Sequence, residues 1–153
     1  MDESDLTTRV RPFGSRPGDA GEQRRSAIVL VVERDPHIRE LERYFLDEAG
    51  FAAEFVADGA SALELARRTL PAVVITEILV PKLDGLALCR AIKEDASLRH
   101  TAVLIFSILA AEVRAREAGA DAFVMKPVAE RRLVETVREL LARDEARRGE
   151  KMQ

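Results

Sequence analysis

Cysteine, histidine and aromatic residues are scarce in this chain of 153 residues, which has one cysteine, two histidines, one tyrosine and no tryptophan. A single cysteine, Cys89, excludes an internal disulfide bond and a metal site built from cysteines, and it is typical of a reducing compartment. Its apolar neighbours predict a buried core side chain rather than a reactive thiol. Neither His37 nor His100 has a second ligand at metal spacing, so we interpret both as surface residues.

Long apolar runs and an excess of positive charge are also missing. No stretch approaches the ~20 apolar residues that a membrane span needs, and the N-terminus lacks the hydrophobic segment of a secretory signal. We therefore expect a cytoplasmic protein with no membrane partner. The net charge of -3 at pH 7 is unlike the basic footprint of nucleic-acid-binding proteins, so nucleic acid is not an expected partner.

The composition is that of one folded domain between two polar ends. Hydrophobic residues make up 47% of the chain and charged residues 33%, which is enough apolar material for one buried core. Residues 1–26 are polar and lack helical or strand periodicity, which predicts a disordered N-terminal tail. We expect the domain to span residues 27–142 and a charged C-terminal tail to occupy residues 143–153.

Apolar, β-rich runs alternate with amphipathic stretches along the domain. Asp35-Pro36 and Gly50 are typical start and stop signals of a helix, and Pro81 with Asp84-Gly85 ends the central strand. The predicted strands are residues 27–32, 51–57, 73–77, 102–106 and 122–125, and the predicted helices are residues 36–50, 60–70, 85–95, 110–118 and 129–142. Strict alternation of this kind predicts a parallel sheet with helices on both faces, joined by right-handed crossovers.

Polar side chains follow these strands at the points where the strands end. They are Glu33, Arg34, Glu77, Ser107 and Lys126. In open parallel sheets the carboxyl ends of the strands share one edge, and ligand and reaction sites lie beyond it, so these residues form the candidate site. For Glu77 taken alone, a loop glutamate that faces water is an equally good interpretation.

Several motifs resemble the receiver domain of two-component response regulators. They are VVERDP, the strand that ends at Glu77 with Pro81 and Asp84-Gly85 after it, Ser107, and EAGADAFVMKP. The resemblance covers about residues 27–142. It implies a flavodoxin-like (βα)5 fold of the α/β class, which is a doubly wound parallel five-stranded sheet of order 2-1-3-4-5.

The resemblance also implies a role for each residue of the candidate site. In working receivers an acidic pair after the first strand holds Mg²⁺, and an aspartate after the third strand accepts a phosphoryl group. The acidic pair corresponds to Glu33 and Arg34, and the acceptor corresponds to Glu77. The hydroxyl and the lysine that contact the phosphoryl group correspond to Ser107 and Lys126.

Arg34 is the first departure from the pattern of the family. Arginine only donates hydrogen bonds and stays protonated, whereas Mg²⁺ needs oxygen ligands. With Glu33 and Glu77 set against Arg34 and Lys126, two negative and two positive charges balance without a metal, and the four side chains could pair. We therefore expect Mg²⁺ binding to be lost or weak, with no other metal or cofactor and no enzymatic activity.

Glu77 is the second departure, because it carries its carboxylate about 1.5 Å further out than an aspartate would. Phosphoryl transfer depends on positioning and on charge neutralisation by the metal, so the normal phosphorylation switch is not expected. Two consequences stay open. Glu77 either imitates the phosphorylated state and holds Ser107 and Phe123 in the active arrangement, or it is tied back by Arg34 in an inactive one.

The segment from Ser107 to Gly119 is the third departure, since it is about one helical turn shorter than its usual counterpart. We expect Ile108 and Leu109 in this segment to be core residues. In receivers the fourth helix, fifth strand and fifth helix form the common docking and dimer face, and Phe123 corresponds to the aromatic residue that reorients on activation. We expect a protein partner at this face: a histidine kinase, an output protein, or a second copy of the chain in a homodimer.

These observations favour a stand-alone, atypical receiver of two-component or phosphorelay signalling. It would act by protein–protein contact, independently of aspartyl phosphorylation. The alternative is a Mg²⁺-dependent phospho-acceptor that a histidine kinase still switches, with Glu33 as the remaining metal carboxylate; Ser107 and Lys126 favour this alternative. A small-ligand module that uses the same edge of the sheet is the third interpretation.

Overall fold

The computed structural model describes residues 28–126 and 130–151, in which strands and helices alternate. The strands are β1 (Ile28–Val32), β2 (Ala52–Val56), β3 (Val73–Thr76), β4 (Ala102–Ser107) and β5 (Ala122–Met125). The helices are α1 (Pro36–Glu48), α2 (Gly59–Thr69), α3 (Gly85–Glu94), α4 (Glu112–Glu117) and α5 (Glu130–Lys151), and a short 3-10 helix at Ala96–Leu98 precedes β4.

The strands form one parallel sheet in the order β2-β1-β3-β4-β5, which confirms the doubly wound, flavodoxin-like arrangement. Val32 of β1 pairs with Thr76 of β3, and Thr76 pairs with Ile105 of β4. This register aligns the carboxyl ends of the central strands. The strand order reverses between β1 and β3, which is the position where open α/β sheets form a crevice.

Alternate residues of the strands supply two separate cores, one on each face of the sheet. Leu30, Val74 and Ile105 face the layer of α2, α3 and α4, where Cys89 is fully buried as predicted. Their neighbours along the strands, which include Val29, Val31, Val73, Ile75 and Leu104, face α1 and α5. The strands are therefore buried on both sides, which explains their continuous apolar sequences.

The helix signals that we recognised in the sequence act as expected. The Asp35 carboxylate accepts hydrogen bonds from the backbone amides of His37 at 2.8 Å and Ile38 at 3.4 Å, and Pro36 occupies the first helical position. Gly50 adopts a positive φ of 88° just after α1, a conformation that glycine tolerates best. The beginning and end of α1 could thus be predicted from the local chemistry of the capping residues.

Some element boundaries differ from the prediction. Strand β3 ends at Thr76, so that Glu77 follows the strand, and Ser107 is part of β4. Helix α4 has 6 residues and begins at Glu112 rather than at Ala110, and no side chain caps its start. The observed ends of β3 and β4 therefore differ from the predicted ends by one residue, and the site residues still lie at the same edge of the sheet.

The end of the last helix was also predicted incorrectly. We expected it to end near Ala142, but α5 continues to Lys151. Its buried face extends past Leu141 to Asp144, so packing continues into the segment that we interpreted as a tail. The proposed tail of residues 1–26 and the predicted helix start at Ala129 lie outside the described residues. None of the described helices is long and apolar enough to cross a membrane.

Candidate functional site

The predicted site residues from four strand ends do meet at one edge of the sheet. The Glu77 amide donates to the carbonyl of Val32 at 3.1 Å, and the Lys126 amide donates to the carbonyl of Ser107 at 2.8 Å. These bonds extend the pairing between strands past their ends, so the side chains arrive close together. Glu33, Glu77 and Ser107 are buried, with Glu77 only 5% exposed. The interpretation of Glu77 as a water-facing loop residue is therefore wrong.

The carboxylate of Glu77 is the most fully hydrogen-bonded group of the site. Its Oε1 atom accepts from the Ser107 hydroxyl and from the backbone amide of Ile78, the latter at 2.7 Å. Its Oε2 atom accepts from the amide of Ile108 at 3.2 Å and from the Lys126 ammonium group at 3.2 Å. Burial alone would raise the pKa of Glu77, but these donors together hold the pKa below its ordinary value. Glu77 is therefore an ionised buried group.

Lys126 is the cation that compensates the buried carboxylates. Its ammonium group forms an ion pair with Glu33 Oε1 and a second one with Glu77 Oε2. It also lies 5.1 Å from the centre of the Phe106 ring. Burial would lower the pKa of Lys126, but the hydrogen bond to Glu33 and the charges of Glu33 and Glu77 hold it above its ordinary value. We call Glu33, Glu77, Ser107 and Lys126 the site network.

Arg34 does not join the site network, although the sequence left open that its guanidinium could pair there. Its side chain is exposed, and within residues 28–126 and 130–151 the ion pairs of Glu33 and Glu77 come from Lys126. The backbone carbonyl of Arg34 accepts a 3.4 Å hydrogen bond from Arg39, which lies outside the site network. Water solvates an exposed guanidinium well, so burying it beside an already paired carboxylate gains little. The sequence left two arrangements open for Glu77. The structure does not have the one in which Arg34 ties Glu77 back.

The oxygen atoms of the two acidic residues are already occupied by protein donors. Besides Lys126, Glu33 accepts a 3.0 Å hydrogen bond from the backbone amide of Asp35 through Oε2. In the described part of the chain, no group of three or more histidine, cysteine, aspartate or glutamate side chains is arranged to hold a metal ion. The usual Mg²⁺ site offers one or two free carboxylates with water and phosphate oxygens. The donor set here does not fit that ion.

An open groove of ≈ 640 Å³ lies between α4 and β5, and Arg132 of α5 also lines it. Phe123 lines it and is half-buried against the core. Val113 and Met125 also line it, and they are 61% and 43% exposed. Ile108, which we expected in the core, is 61% exposed, whereas Leu109, which we also expected there, packs against the core.

Two features of the site were missed by sequence reasoning. One is the pair of backbone donors to Glu77, the amides of Ile78 and Ile108, which cannot be predicted from the residue type because every residue except proline has such an amide. The other is Glu42, which is a buried residue of α1. A signal for Glu42 existed, because it lies four residues before Leu46 on the same apolar stripe, where a charged side chain is out of pattern.

Comparison with known protein families supports the resemblance. The model of the family described as "Response regulator receiver domain" matches residues 29–138. The chain is 38% identical over 118 residues to the transcriptional regulatory protein CseB of Streptomyces avermitilis, covering 75% of this chain and 49% of that protein. It is 31% identical over 116 residues to the polar-differentiation response regulator DivK of Brucella anthropi, covering 74% of this chain and 94% of that protein.

The lengths of these relatives differ. The chain spans about half the length of CseB and of the probable transcriptional regulator ycf27 of Guillardia theta, but nearly the whole of DivK. Solved structures agree with the fold. The receiver domain of a signal transduction histidine kinase from Syntrophus aciditrophicus superposes with a TM-score of 0.72 at 35% identity, covering 76% of this chain and 91% of that chain. The chemotaxis response regulator CheY4 of Vibrio cholerae superposes with a TM-score of 0.70 at 25% sequence identity, and the match covers 75% of this chain and 98% of that chain.

Proposed function

This chain belongs to the response regulator receiver domains of two-component signalling, and from that premise we propose that it signals by protein contact without phosphorylation of Glu77. One observation carries the proposal. The Glu77 carboxylate already holds the Ser107 hydroxyl, the Lys126 ammonium group and the Ile108 amide. By the family resemblance, the hydroxyl and the lysine are the groups that would contact a phosphoryl group. In our proposal Glu77 imitates that state.

The proposal explains why phosphoryl transfer to Glu77 is disfavoured. A carboxylate that accepts several hydrogen bonds and has a lowered pKa is a poor nucleophile, since attack would first have to break those bonds. Transfer also requires a metal to neutralise the charge of the incoming phosphate. The oxygens of Glu33 are shared between Lys126 and the Asp35 amide, and Arg34 adds a positive charge where the family has a carboxylate. We therefore propose that Mg²⁺ binds weakly or not at all and that the chain catalyses no reaction of its own.

The partner surface in our proposal is the groove between α4 and β5. Exposed Val113 and Met125 supply apolar contact area, and Glu112, Arg114 and Arg132 supply charges of both signs around them. Charges of both signs on one patch allow it to pair with a second copy of itself, because in a two-fold dimer the same patch meets its symmetry-related copy. We propose a second copy of the chain as the occupant, with a histidine kinase or an output protein as the alternative.

A second candidate function keeps some support. Ser107 and Lys126 match the pattern of phospho-accepting receivers and lie in contact with the acceptor position. A receiver of this kind would bind Mg²⁺ through Glu33 and would be switched by a histidine kinase. The two functions differ in their response to Mg²⁺ and to an acyl-phosphate mimic.

The test is a titration of the full chain with Mg²⁺, with and without beryllofluoride, followed by backbone amide NMR. We expect no saturable shifts at Ile78, Ile108 or Lys126 up to millimolar Mg²⁺. Glu77→Asp alone should behave in the same way, because the second carboxylate of the acidic pair is still absent. Adding Arg34→Asp to Glu77→Asp should restore saturable binding.

A matched control distinguishes a carboxylate added at the site from a change in the net charge of the whole chain. Arg90 is exposed on α3, so Glu77→Asp combined with Arg90→Asp changes the net charge equally but should not restore binding. Saturable Mg²⁺ shifts in the wild-type chain would contradict the proposal and favour the phospho-accepting receiver. Restoration by Glu77→Asp alone would show that Arg34 is not responsible for the loss.

A further inference from the structure

A cavity of ≈ 310 Å³ lies at the edge of the sheet opposite to the site network. It is lined by Ala102, the first residue of β4, by Asp121, which directly precedes β5, and by residues from the C-terminal part of α5. The amino ends of the parallel strands meet at this edge, whereas the site network lies at their carboxyl ends. None of the lining residues belongs to the site network, so a ligand in this cavity would not contact it.

Two arginines of α5, Arg143 and Arg147, line this cavity one helical turn apart. Side chains four residues apart are neighbours on a helix, and two positive charges in that arrangement repel each other. The segment is nevertheless helical, and Leu140, which is 2% exposed, anchors it in the core. The helix therefore holds two guanidinium groups at one cavity, an arrangement that an anion between them would stabilise.

The carboxylates near the cavity do not compensate both arginines. Asp121 is engaged elsewhere, since its Oδ2 atom accepts from the Lys93 ammonium group at 2.6 Å and from a backbone amide of β4 at 2.8 Å. Asp144 Oδ1 lies 4.0 Å from Arg147, which is a long ion pair. Arg143 donates to the backbone carbonyl of Asp121 at 3.3 Å, and within residues 28–126 and 130–151 no carboxylate forms an ion pair with it. The cavity therefore keeps an uncompensated positive charge.

The lining of the cavity indicates which kind of anion would fit. A guanidinium group presents five N–H donors in a planar fork, which matches the oxygens of a phosphate group. Ala102, Leu140 and Ala146 add apolar surface beside the two arginines. The volume lies at the lower end of the range for small-molecule sites, which is roughly 300–1,000 Å³. These features together favour a ligand that joins an anionic group to a small apolar body.

We propose that this cavity binds a small organic phosphate, with the phosphate group between Arg143 and Arg147 and the apolar body against Leu140 and Ala146. A phosphate monoester suits the site better than a monocarboxylate, because it carries about two negative charges at pH 7 and can therefore meet both guanidinium groups. The proposal goes beyond the proposed function and does not depend on it, because the two sites lie at opposite edges of the sheet and share no residue.

The test is a titration of the full chain with phenyl phosphate at low ionic strength, followed by backbone amide NMR. We expect saturable shifts at Asp121 and Ala146 and none at Ile78 or Ile108, whose amides donate to Glu77. Inorganic phosphate should bind more weakly, because it lacks the apolar body, and phenol should not bind, because it lacks the charge. Added salt should weaken the binding of phenyl phosphate.

Variants of α5 test whether the two arginines are responsible. Arg143→Gln and Arg147→Gln should each raise the Kd for phenyl phosphate by at least about tenfold, because each removes a charged donor. Arg131→Gln is the matched control, since it removes an exposed arginine of the same helix that does not line the cavity, and it should leave the Kd unchanged. All three positions are exposed, so each variant should fold, which circular dichroism checks.

Several outcomes would overturn the proposal. Absence of saturable shifts at millimolar phenyl phosphate would show that the cavity is not a phosphate site. Shifts confined to Ile78 and Ile108 would place the binding at the site network instead. An equal loss of affinity in Arg131→Gln would reduce the effect to the net charge of the helix. Equal affinity for inorganic phosphate would contradict the role of the apolar wall.

Discussion

At the scale of single residues, Lys126 determines whether two buried acidic side chains are tolerated. Glu33 and Glu77 are both buried, and Lys126 is the cation that forms ion pairs with them in the described structure. Taking charges out of water is costly, and only close pairing offsets the cost. Stability at this site therefore depends on one side chain at the end of β5.

We expect Lys126→Met to lower the free energy of unfolding at pH 7 by about 3–5 kcal/mol, because it leaves two buried carboxylates without their cation. Urea unfolding followed by circular dichroism measures this loss. The loss should shrink at acid pH, where both carboxylates are protonated. Lys82→Met, at an exposed lysine, is the control and should change stability by less than about 0.5 kcal/mol. Equal effects of the two substitutions would show that the ion pairs contribute little.

At the scale of elements, the short helix α4 borders a groove in which apolar side chains are exposed. Helix α4 has 6 residues and no side-chain cap, and the groove between it and β5 leaves Val113 and Met125 exposed. Apolar side chains exposed side by side in a groove typically mark a contact surface. Strand β5 carries Phe123 into the groove, and Lys126 of the site network is the residue that directly follows this strand, so one strand connects the surface with the site.

We expect Met125→Glu to abolish self-association of the chain, since it places a charge in the apolar centre of the proposed dimer contact. Sedimentation velocity over a range of concentrations should show a monomer–dimer equilibrium for the wild type and a monomer for Met125→Glu. Leu41→Glu, at an exposed leucine of α1, is the matched control and should still dimerise. A wild-type chain that stays monomeric would contradict self-association and leave another protein as the partner.

At the scale of the whole molecule, opposite pKa shifts compete to set the pH of greatest stability. Glu77 has a lowered pKa, so its contribution to stability is present above its unfolded pKa and is lost as the pH falls. Glu42 has a pKa raised from 4.5 to about 8, so its contribution is present below pH 4.5 and is lost as the pH rises through 8. The two trends place the maximum on the acidic side of neutrality.

We expect the free energy of unfolding to fall between about pH 5 and pH 8 by up to about 1.4 kcal/mol per pH unit, because the unfolded chain releases the Glu42 proton earlier than the folded one. Urea midpoints at several pH values measure this slope. Glu42→Leu should remove the slope and raise stability at pH 8 by about 1–3 kcal/mol, since no unpaired acceptor remains buried. A slope that survives in Glu42→Leu would assign it to another group.

Much of the fold was legible in the sequence because local chemistry and hydrophobic pattern agree. The Asp35-Pro36 start of α1, the Gly50 stop and the apolar strands each encode their own conformation, and alternation of strands and helices then leaves a doubly wound sheet. Helix ends were less predictable. The end of α5 depends on packing that continues to Asp144, which a charged sequence does not reveal.

The candidate site divides in the same way. The sequence by itself determined which residue types reach the carboxyl edge of the sheet, since Glu33, Glu77, Ser107 and Lys126 each lie where an apolar strand ends, and it determined that Arg34 cannot ligate a metal. Only the tertiary structure decided the pairing among them. Which cation meets which carboxylate depends on side-chain reach, on burial and on backbone amides supplied by distant loops. For that reason Lys126 compensates Glu33 and Glu77, Arg34 stays exposed to water, and Glu42 is buried in α1.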